Sequence, residues 1–251
     1  MEIDRPRPGS EPGLQALWQA AFGDSENWIR LFFSRVYRPE RCRCLTMDGQ
    51  IPAALYWFDT EYAGQKLAYV YAVATAPAYR RRGLCRQLMA DTQAHLARLG
   101  YAAVLLVPAE PELRRMYAAM GYRECSRVSE FTCTAGVPVS IREVSREEYA
   151  ALRRKYLPAG GVVQEGANLA CLSLMARMYT GEDFLLAVDR KDGCLRGVEL
   201  LGNPAAAAGI LSALGCSQGS FRIPGQDIPF SMALPLAPEA ALPDYFGLAF
   251  D

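Results

Sequence analysis

The chain has 251 residues, enough to bury the core of one large domain or of two smaller ones. It carries 27 Lys and Arg and 27 Asp and Glu residues, so its formal net charge is zero, which argues against a general nucleic-acid-binding protein. A hydrophobic content of 51% and an aromatic content of 10% are typical of a folded globular protein.

The N-terminal sequence and the apolar runs predict a cytoplasmic protein that does not enter a membrane. The first residues, MEIDRPRPGSEPG, lack the apolar core of a secretory signal, and the longest apolar run, at 102–107, is too short to span a bilayer. The eight cysteines are therefore expected to be reduced thiols. Because Cys42 and Cys44 lack a second pair of ligands, no metal site is expected. His95 lies in a helical pattern without a nucleophile beside it, which favours packing over a catalytic triad.

Hydrophobic periodicity predicts two amphipathic helices followed by a three-stranded antiparallel meander. The helices are expected to begin after Ser10 and after Asp24 or Ser25, which are suitable N-caps. The strands of the meander are predicted over 41–47, 51–60 and 66–75, with turns at Asp48-Gly49 and Ala63-Gly64. A helix over 83–99, a buried parallel strand over 101–108, a helix over 111–120 and a strand over 122–133 are predicted to follow.

The second part of the chain is predicted to begin after a hinge at 135–138. Its pattern indicates two helices, a hairpin with its turn at Lys191-Asp192-Gly193, a helix after Asn203-Pro204, and short strands separated by prolines. This order repeats that of the first part and indicates a degenerate internal repeat. The last residues, YFGLAF at 245–250, are apolar, so we expect a terminal strand that is docked against the protein.

Three consecutive arginines, Arg80, Arg81 and Arg82, precede Gly83 where the meander ends and a helix begins. Adjacent cations repel one another, so the run is either an exposed basic turn or an anion site. The first N–H groups of a helix have no intrahelical acceptor, and a glycine lets a ligand approach the backbone. Such a site suits a diphosphate, although neither GxxxxGK[ST] nor GxGxxG is present.

The stretch VATAPAYRRRGLC resembles the [RQ]-x-x-G-x-[GA] pyrophosphate loop of the GNAT (Gcn5-related N-acetyltransferase) superfamily, with Cys85 in place of the usual Gly or Ala. A second stretch, RRMYAAMGY at 114–122, resembles the superfamily's L-Y-x-x-x-G-[FY]. The resemblance implies an α/β (α+β) protein whose central sheet is mixed, mostly antiparallel and flanked by helices. It also implies an acetyl-CoA-binding GNAT domain over 1–135 and a degenerate GNAT-like domain over 139–251.

The same resemblance implies roles for individual residues. Backbone groups of Val73, Ala74 and Thr75 would pair with the pantetheine arm of coenzyme A, and amides from 81–86 would hold its pyrophosphate. The residues thereby implied in cofactor binding are Val73, Ala74, Thr75, Arg80, Arg81, Arg82, Gly83, Leu84, Cys85 and Arg86. Tyr117 would protonate the leaving thiolate, or else serves only as a core aromatic residue.

The two-part layout resembles that of the enhanced-intracellular-survival-type tandem GNAT acetyltransferases, although this chain is shorter. Its second half has no matching loop, because the region at 203–210 reads NPAAAAGI, so no second coenzyme A is expected there. In that type the terminal carboxylate reaches the active site, which makes a catalytic role for Asp251 one hypothesis. Asp59, Glu61 and Glu110 lie near predicted strand ends, but none of them is assigned as a general base.

The resemblance implies an acetyl-CoA-dependent N-acetyltransferase that transfers an acetyl group directly to a primary amine of a small molecule or a peptide. Two alternatives stay open at this point. One is a non-catalytic acyl-CoA-binding sensor, and the other is an oligomeric scaffold in which the arginines bind a different anion.

Overall fold

The computed structural model of the chain describes residues 1–191 and 194–250. The elements of the first half are β1 (Glu2–Asp4), α1 (Glu11–Phe22), α2 (Glu26–Arg35), β2 (Cys42–Met47), β3 (Gln50–Tyr62), β4 (Gln65–Thr75), α3 (Leu84–Arg98), β5 (Ala103–Leu106), α4 (Pro111–Ala118), β6 (Arg123–Glu124) and β7 (Arg127–Thr134). Those of the second half are β8 (Arg142–Glu143), α5 (Arg146–Tyr156), α6 (Ala167–Leu172), β9 (Arg177–Thr180), β10 (Phe184–Lys191), β11 (Cys194–Gly202), α7 (Ala207–Ala213), β12 (Gln218–Pro224), β13 (Ile228–Pro229) and β14 (Met232–Pro235). The predicted turn at Lys191-Asp192-Gly193 extends outside the described residues. No helix within the described ranges is long and apolar enough to cross a membrane.

The first sheet has the strand order β1-β2-β3-β4-β5-β14-β6. The antiparallel meander predicted from the sequence is confirmed as β2, β3 and β4, and β5 pairs in parallel with β4 after the crossover through α3. The predicted N-terminal helices are confirmed as α1 and α2. They pack their apolar faces into the core through Leu14, Leu17, Trp18, Ile29 and Phe32. Ser25 caps α2 by accepting a hydrogen bond from the backbone N–H of Trp28.

The second sheet has the strand order β13-β7-β12-β11-β10-β9-β8. Its β10–β11 hairpin is antiparallel, and β11 pairs in parallel with β12 after α7, as β4 pairs with β5 after α3. The face of this sheet that packs against α7 buries an apolar cluster of Phe184, Leu186, Leu200, Ile210 and Phe221. The predicted mixed, mostly antiparallel sheets flanked by helices are therefore confirmed in both halves.

The strands are not divided between the two sheets in sequence order. The chain forms two compact units, the first of Met1–Leu106, Pro111–Arg123 and Ala233–Ala241, and the second of Val107–Glu110, Glu124–Met232 and the segment from Leu242 onward. Because β7 pairs with β12 and β14 lies between β5 and β6, each sheet contains a strand from the other half of the sequence. The strand predicted over 122–133 is accordingly split into β6 and β7. The division into domains 1–135 and 139–251 stays a prediction, because each compact unit contains residues from both of these ranges.

The C-terminal segment is docked, but the strand predicted over 245–250 is wrong. The segment forms only an isolated β-bridge between Gly161 and Tyr245, because the backbone of Leu248 pairs with the side chain of Gln164 instead of with a neighbouring strand. The Gln164 amide donates to the Leu248 carbonyl oxygen at 2.7 Å and accepts from the Leu248 N–H at 3.2 Å. Residues Tyr245, Phe246, Leu248, Ala249 and Phe250 are buried, as the apolar sequence predicts. Asp251 lies outside the described residues.

Candidate functional site

A β-bulge interrupts the pairing of β4 with β3. Tyr71 lies opposite Tyr56 and Ala74 lies opposite Ala54, so two residues of β4 face one of β3 between these pairs. At the bulge Ala72 has a φ of 48°, a left-handed conformation that is uncommon for a residue other than glycine. The sequence analysis missed this bulge, because no glycine marks it.

The opposite edge of β4 is open beyond its first residues. The parallel pairing with β5 runs only through Leu67, Ala68 and Tyr69. Within the described structure, Val73, Ala74 and Thr75 therefore have no strand partner on this edge. A peptide-like ligand can pair with such an edge as an added strand does.

The loop between β4 and α3 contains a run of backbone N–H groups without hydrogen-bond partners among the described residues. A 3-10 turn over Pro77–Tyr79 follows β4, and the chain then adopts left-handed conformations at Arg81 (φ 64°) and Gly83 (φ 76°) before α3 begins. The amides of the six residues 81–86 form no hydrogen bond within the described parts of the chain, while the next amide, that of Gln87, bonds to the Gly83 carbonyl oxygen. A run of unpaired amides at a helix N-terminus is an anion-binding site.

The space in front of this loop is open at Gly83. A Cβ atom placed there would meet only the side-chain nitrogen of Gln87, at 4.0 Å. A ligand can therefore reach the backbone directly, as the sequence analysis expected of a glycine at this position.

The arginines of the loop are exposed and lack acidic partners. Arg80 donates from Nε to the carbonyl oxygen of Thr75 at 3.2 Å, which ties the loop to the end of β4. The guanidinium of Arg82 lies 5.2 Å from the ring centroid of Tyr79. Among the residues described, no carboxylate forms an ion pair with Arg80, Arg81, Arg82 or Arg86. Their positive charge is thus available to an anion held by the amides.

Tyr117 lies on α4 and is nearly buried. Its ring packs edge-on against that of Tyr122, with centroids 5.7 Å apart, and its hydroxyl has no hydrogen-bond partner among the described residues. Burial raises the pKa of Tyr117 well above its usual value, and the thiol of Cys85 and the hydroxyl of Tyr122 raise it further. The phenol is therefore protonated at neutral pH and can donate its proton.

Cys85 lies in the first turn of α3, where the superfamily pattern has Gly or Ala. Burial raises the pKa of its thiol, so the side chain is a neutral thiol at neutral pH. The Cys85 thiol also raises the pKa of Tyr117, which lies on α4, and the pKa of Tyr122.

The carboxylates considered as bases do not gather at the loop. Asp59 and Glu61 lie on β3 opposite Ala68 and Lys66, at the end of β4 farthest from Thr75. Asp59 is an ion-pair partner of Arg41 at 2.6 Å and accepts a hydrogen bond from Tyr101. Glu110 is exposed and belongs to the second unit. No general base is therefore assigned.

His95 has the packing position expected from the sequence. Its ring lies edge-on to Trp57, with centroids 6.1 Å apart, and burial lowers its pKa. Among residues 1–191 and 194–250, no group of three or more His, Cys, Asp and Glu side chains is arranged to hold a metal ion.

The turn between α1 and α2 carries a second feature that the sequence analysis missed. The indole N–H of Trp18 donates to the Asp24 carboxylate at 2.7 Å, and Phe22 packs edge-on against Trp18 with ring centroids 5.8 Å apart. The rings of Tyr71 and Phe32 pack against Trp18 from β4 and α2. The spacing of these residues predicted a buried helix face, but not the placement of Phe22 and Asp24 beside it.

The described residues of the second unit contain no comparable loop. Where β11 ends, Asn203 accepts from the N–H of Ala205 and no arginine follows. After a bulge like that of β4, β11 places Glu199 in a buried ion pair with Arg153, at 2.8 Å from Nε. The C-terminal segment lies against this pair, since a Cβ atom added to Gly247 would come within 1.8 Å of Glu199 Oε1.

Comparison with known proteins identifies the first half of the chain. Residues 2–125 match the family model described as an acetyltransferase (GNAT) domain. No curated protein matches the chain.

Solved structures extend the likeness over both halves. A GCN5-related N-acetyltransferase from Anabaena variabilis ATCC 29413 is 13% identical with a TM-score of 0.73, over 94% of this chain and 73% of that one. A GCN5-related N-acetyltransferase from Kribbella flavida is 18% identical with a TM-score of 0.69, over 92% and 70%. Eis1 from Mycobacterium abscessus is 14% identical with a TM-score of 0.69, over 95% and 74%. At these identities the likeness is one of fold.

Proposed function

Since the chain belongs to the GNAT superfamily of acyltransferases, we propose that its first unit transfers an acetyl group from acetyl-CoA directly to a primary amine. The observation that carries this proposal is the run of unpaired amides at 81–86, in the loop whose sequence matches the superfamily's pyrophosphate pattern.

The loop suits the pyrophosphate of the donor in both charge and shape. The amides and the dipole of α3 favour negative charge, and Gly83 leaves the approach open. The arginines, which have no acidic partner among the described residues, would add charge-assisted hydrogen bonds. The open edge of Val73, Ala74 and Thr75 follows directly, and its backbone groups would hold the amide-containing pantetheine arm.

Tyr117 would supply the proton for the leaving group. Acetyl-CoA would provide a thioester: the amine nitrogen would form a bond to its carbonyl carbon, the carbon–sulfur bond would break, and the amine would give up a proton to solvent. The phenol of Tyr117 is neutral and has no hydrogen-bond partner among the described residues, so it can protonate the departing sulfur and then regain a proton from solvent. This route needs no covalent enzyme intermediate.

One donor site per chain is expected. In the second unit the bulge of β11 is followed by Glu199, whose carboxylate is occupied by Arg153 and by the hydroxyl groups of Tyr149 and Tyr245. Tyr245 and Gly247 place the C-terminal segment against that carboxylate, so the segment occupies the space beside the bulge of β11.

The release of free thiol from acetyl-CoA tests the proposal. An enzyme releases thiol only when a primary amine is added, in an amount equal to the acetylated amine. A non-catalytic acyl-CoA-binding sensor binds acetyl-CoA but releases no thiol with any amine. A scaffold whose arginines hold a different anion does not bind acetyl-CoA at all.

A further inference from the structure

The charge of the loop before α3 carries an inference about which donors the site accepts, and it rests on the proposed function. The amides of 81–86 and the dipole of α3 already suit the two negative charges of a diphosphate. Four exposed arginines without a carboxylate partner among the described residues lie in or beside this run: Arg80, Arg81, Arg82 and Arg86. Because neighbouring cations repel one another, this surplus of positive charge favours a ligand with an anionic group in addition to its diphosphate.

One of these arginines is held in place by an aromatic ring. The guanidinium of Arg82 lies 5.2 Å from the centroid of the Tyr79 ring, at the distance of a cation–π contact. Tyr79 is half-buried, and its hydroxyl donates a hydrogen bond to Gln50 Oε1 at 2.8 Å. Since Gln50 is the first residue of β3, Tyr79 connects the side chain of Arg82 to the first sheet.

This connection holds Arg82 on the β3 side of β4. There β3 pairs with β4 up to Ala53 and Thr75, and the N–H of Ala76 donates to the Pro52 carbonyl oxygen at 2.9 Å. The pantetheine arm of the donor would lie along the other edge of β4, which is open. The pantetheine and the nucleoside are attached to opposite ends of the diphosphate. A group bound by Arg82 would therefore belong to the nucleoside end of the donor.

The preceding arginine is held differently. Arg80 Nε donates to the Thr75 carbonyl oxygen at 3.2 Å, so its side chain is turned back to the end of β4. The two side chains are thus tied to different groups, Arg80 to the backbone and Arg82 to a ring. A guanidinium over a ring keeps its N–H donors at the ring's edge free to bind an anion, which makes Arg82 the better placed of the two for a ligand.

We propose that Tyr79 is a positioning residue, which holds Arg82 ready for a phosphate monoester on the nucleoside of the donor. Coenzyme A carries such a group on its ribose, and a phosphate monoester has a charge of about −1.5 to −2 at neutral pH. The site thereby selects a thioester of coenzyme A over a pantetheine thioester that has the diphosphate but lacks the ribose phosphate. The specificity lies in Arg82, and Tyr79 acts through it.

Two probes test the role of Arg82 on the full chain: coenzyme A, and dephospho-coenzyme A, which lacks only the ribose phosphate. In calorimetric titrations we expect the parent protein to bind coenzyme A at least about tenfold more tightly than dephospho-coenzyme A. Arg82→Gln should abolish most of this preference by weakening the binding of coenzyme A. Arg98→Gln, which removes an exposed arginine from the last turn of α3, is the matched control and should leave the preference unchanged.

Tyr79 is tested by two variants with the same probes. Tyr79→Leu removes the ring under Arg82, so we expect it to reduce the preference for coenzyme A by about threefold or more. Tyr79→Phe keeps the ring and removes only the hydrogen bond to Gln50, so it should retain most of the preference. The ratio of the two affinities is the informative quantity, because a general disturbance of the loop would weaken both probes together and leave their ratio unchanged.

The outcomes separate this inference from the proposed function. If the parent protein binds neither probe, both the donor site and the inference are contradicted. Equal affinities for the two probes, or a preference that Arg82→Gln does not alter, overturn the inference and leave the donor site standing. A preference that is lost in Arg82→Gln but fully retained in folded Tyr79→Leu contradicts the positioning role of Tyr79.

Discussion

Two residues of the loop before α3 have left-handed backbones, and only one of them is a glycine. The role of Gly83 in the loop could be predicted from the sequence, because a glycine at the start of a helix allows backbone conformations and ligand approach that other residues hinder. The left-handed conformation of Arg81, with a φ of 64°, could not be predicted, since nothing in an arginine side chain indicates an unusual backbone conformation. The same holds for Ala72 at the bulge of β4. The sequence thus predicts which segment is the candidate site, while its strained residues emerge only from pairing and loop geometry.

Tyr117 offers the sharpest test at the scale of one atom. Tyr117→Phe keeps the ring and its packing on Tyr122, so acetyl-CoA affinity should be unchanged, while turnover should fall by about two to four orders of magnitude if the phenol is the proton donor. Tyr122→Phe is the control, because that hydroxyl already accepts a hydrogen bond from Gln93 at 3.2 Å. Parental turnover in Tyr117→Phe would mean that Tyr117 only packs.

The pH dependence of turnover follows from the same residue. Burial raises the pKa of Tyr117 above its usual value of about 10, so its proton is present at every lower pH and begins to be lost only at higher pH. The turnover number of the parent protein should therefore show no alkaline decline caused by this group below about pH 10. Stopped assays over that range, at saturating amine free base, measure it. A decline near neutral pH that disappears in Tyr117→Phe would contradict the raised pKa.

At the scale of elements, α5, β11 and the C-terminal segment meet at one buried ion pair. Arg153 donates to both carboxylate oxygens of Glu199, at 2.8 and 2.9 Å, and its remaining N–H groups reach the Val162 carbonyl oxygen and Gln164. Sequence patterns placed the helix and the hairpin correctly, because apolar periodicity is a local signal. They did not predict the ion pair, since the charges are 46 residues apart and a helical arginine ordinarily faces solvent.

Removing one charge of this pair should be costly. Glu199→Gln leaves Arg153 buried without a counter-charge, and we expect a loss of about 3–5 kcal/mol in the free energy of unfolding. Arg154→Ala is the control on the same helix: its bridge to Glu165 joins side chains 53% and 35% exposed, so its loss should cost at most about 1 kcal/mol. Denaturant unfolding measures both values, and equal losses would contradict the assigned importance of the buried pair.

At the scale of the whole molecule, each sheet needs a strand from the other half of the sequence. The repeat of elements was visible in the sequence, because it follows chain order. The exchange of strands, which places β7 in the second sheet and β14 in the first, was not visible in the sequence. Short strands at similar positions in two related halves carry no signal that selects one sheet over the other.

The exchange predicts that the first half does not fold alone. A fragment ending at residue 138 retains the complete donor loop but lacks β14, which lies between β5 and β6 in the first sheet. We expect it to lack cooperative thermal unfolding and to bind no acetyl-CoA, because β5 would have an unpaired edge. Circular dichroism and calorimetry measure both properties. A fragment that unfolds cooperatively and binds acetyl-CoA like the full chain would show that β14 is dispensable.

The donor site itself is tested most directly by titrating acetyl-CoA into the full chain and two glycine variants. Gly83 and Gly100 stand at opposite ends of α3 with φ of 76° and 77°, so Gly83→Val and Gly100→Val impose similar backbone strain, but only the first places a side chain before the amides of 81–86. We predict one site per chain in the parent and in Gly100→Val, and no binding in a folded Gly83→Val. Parental affinity in folded Gly83→Val, or two sites per chain in the parent, would contradict the proposed donor site.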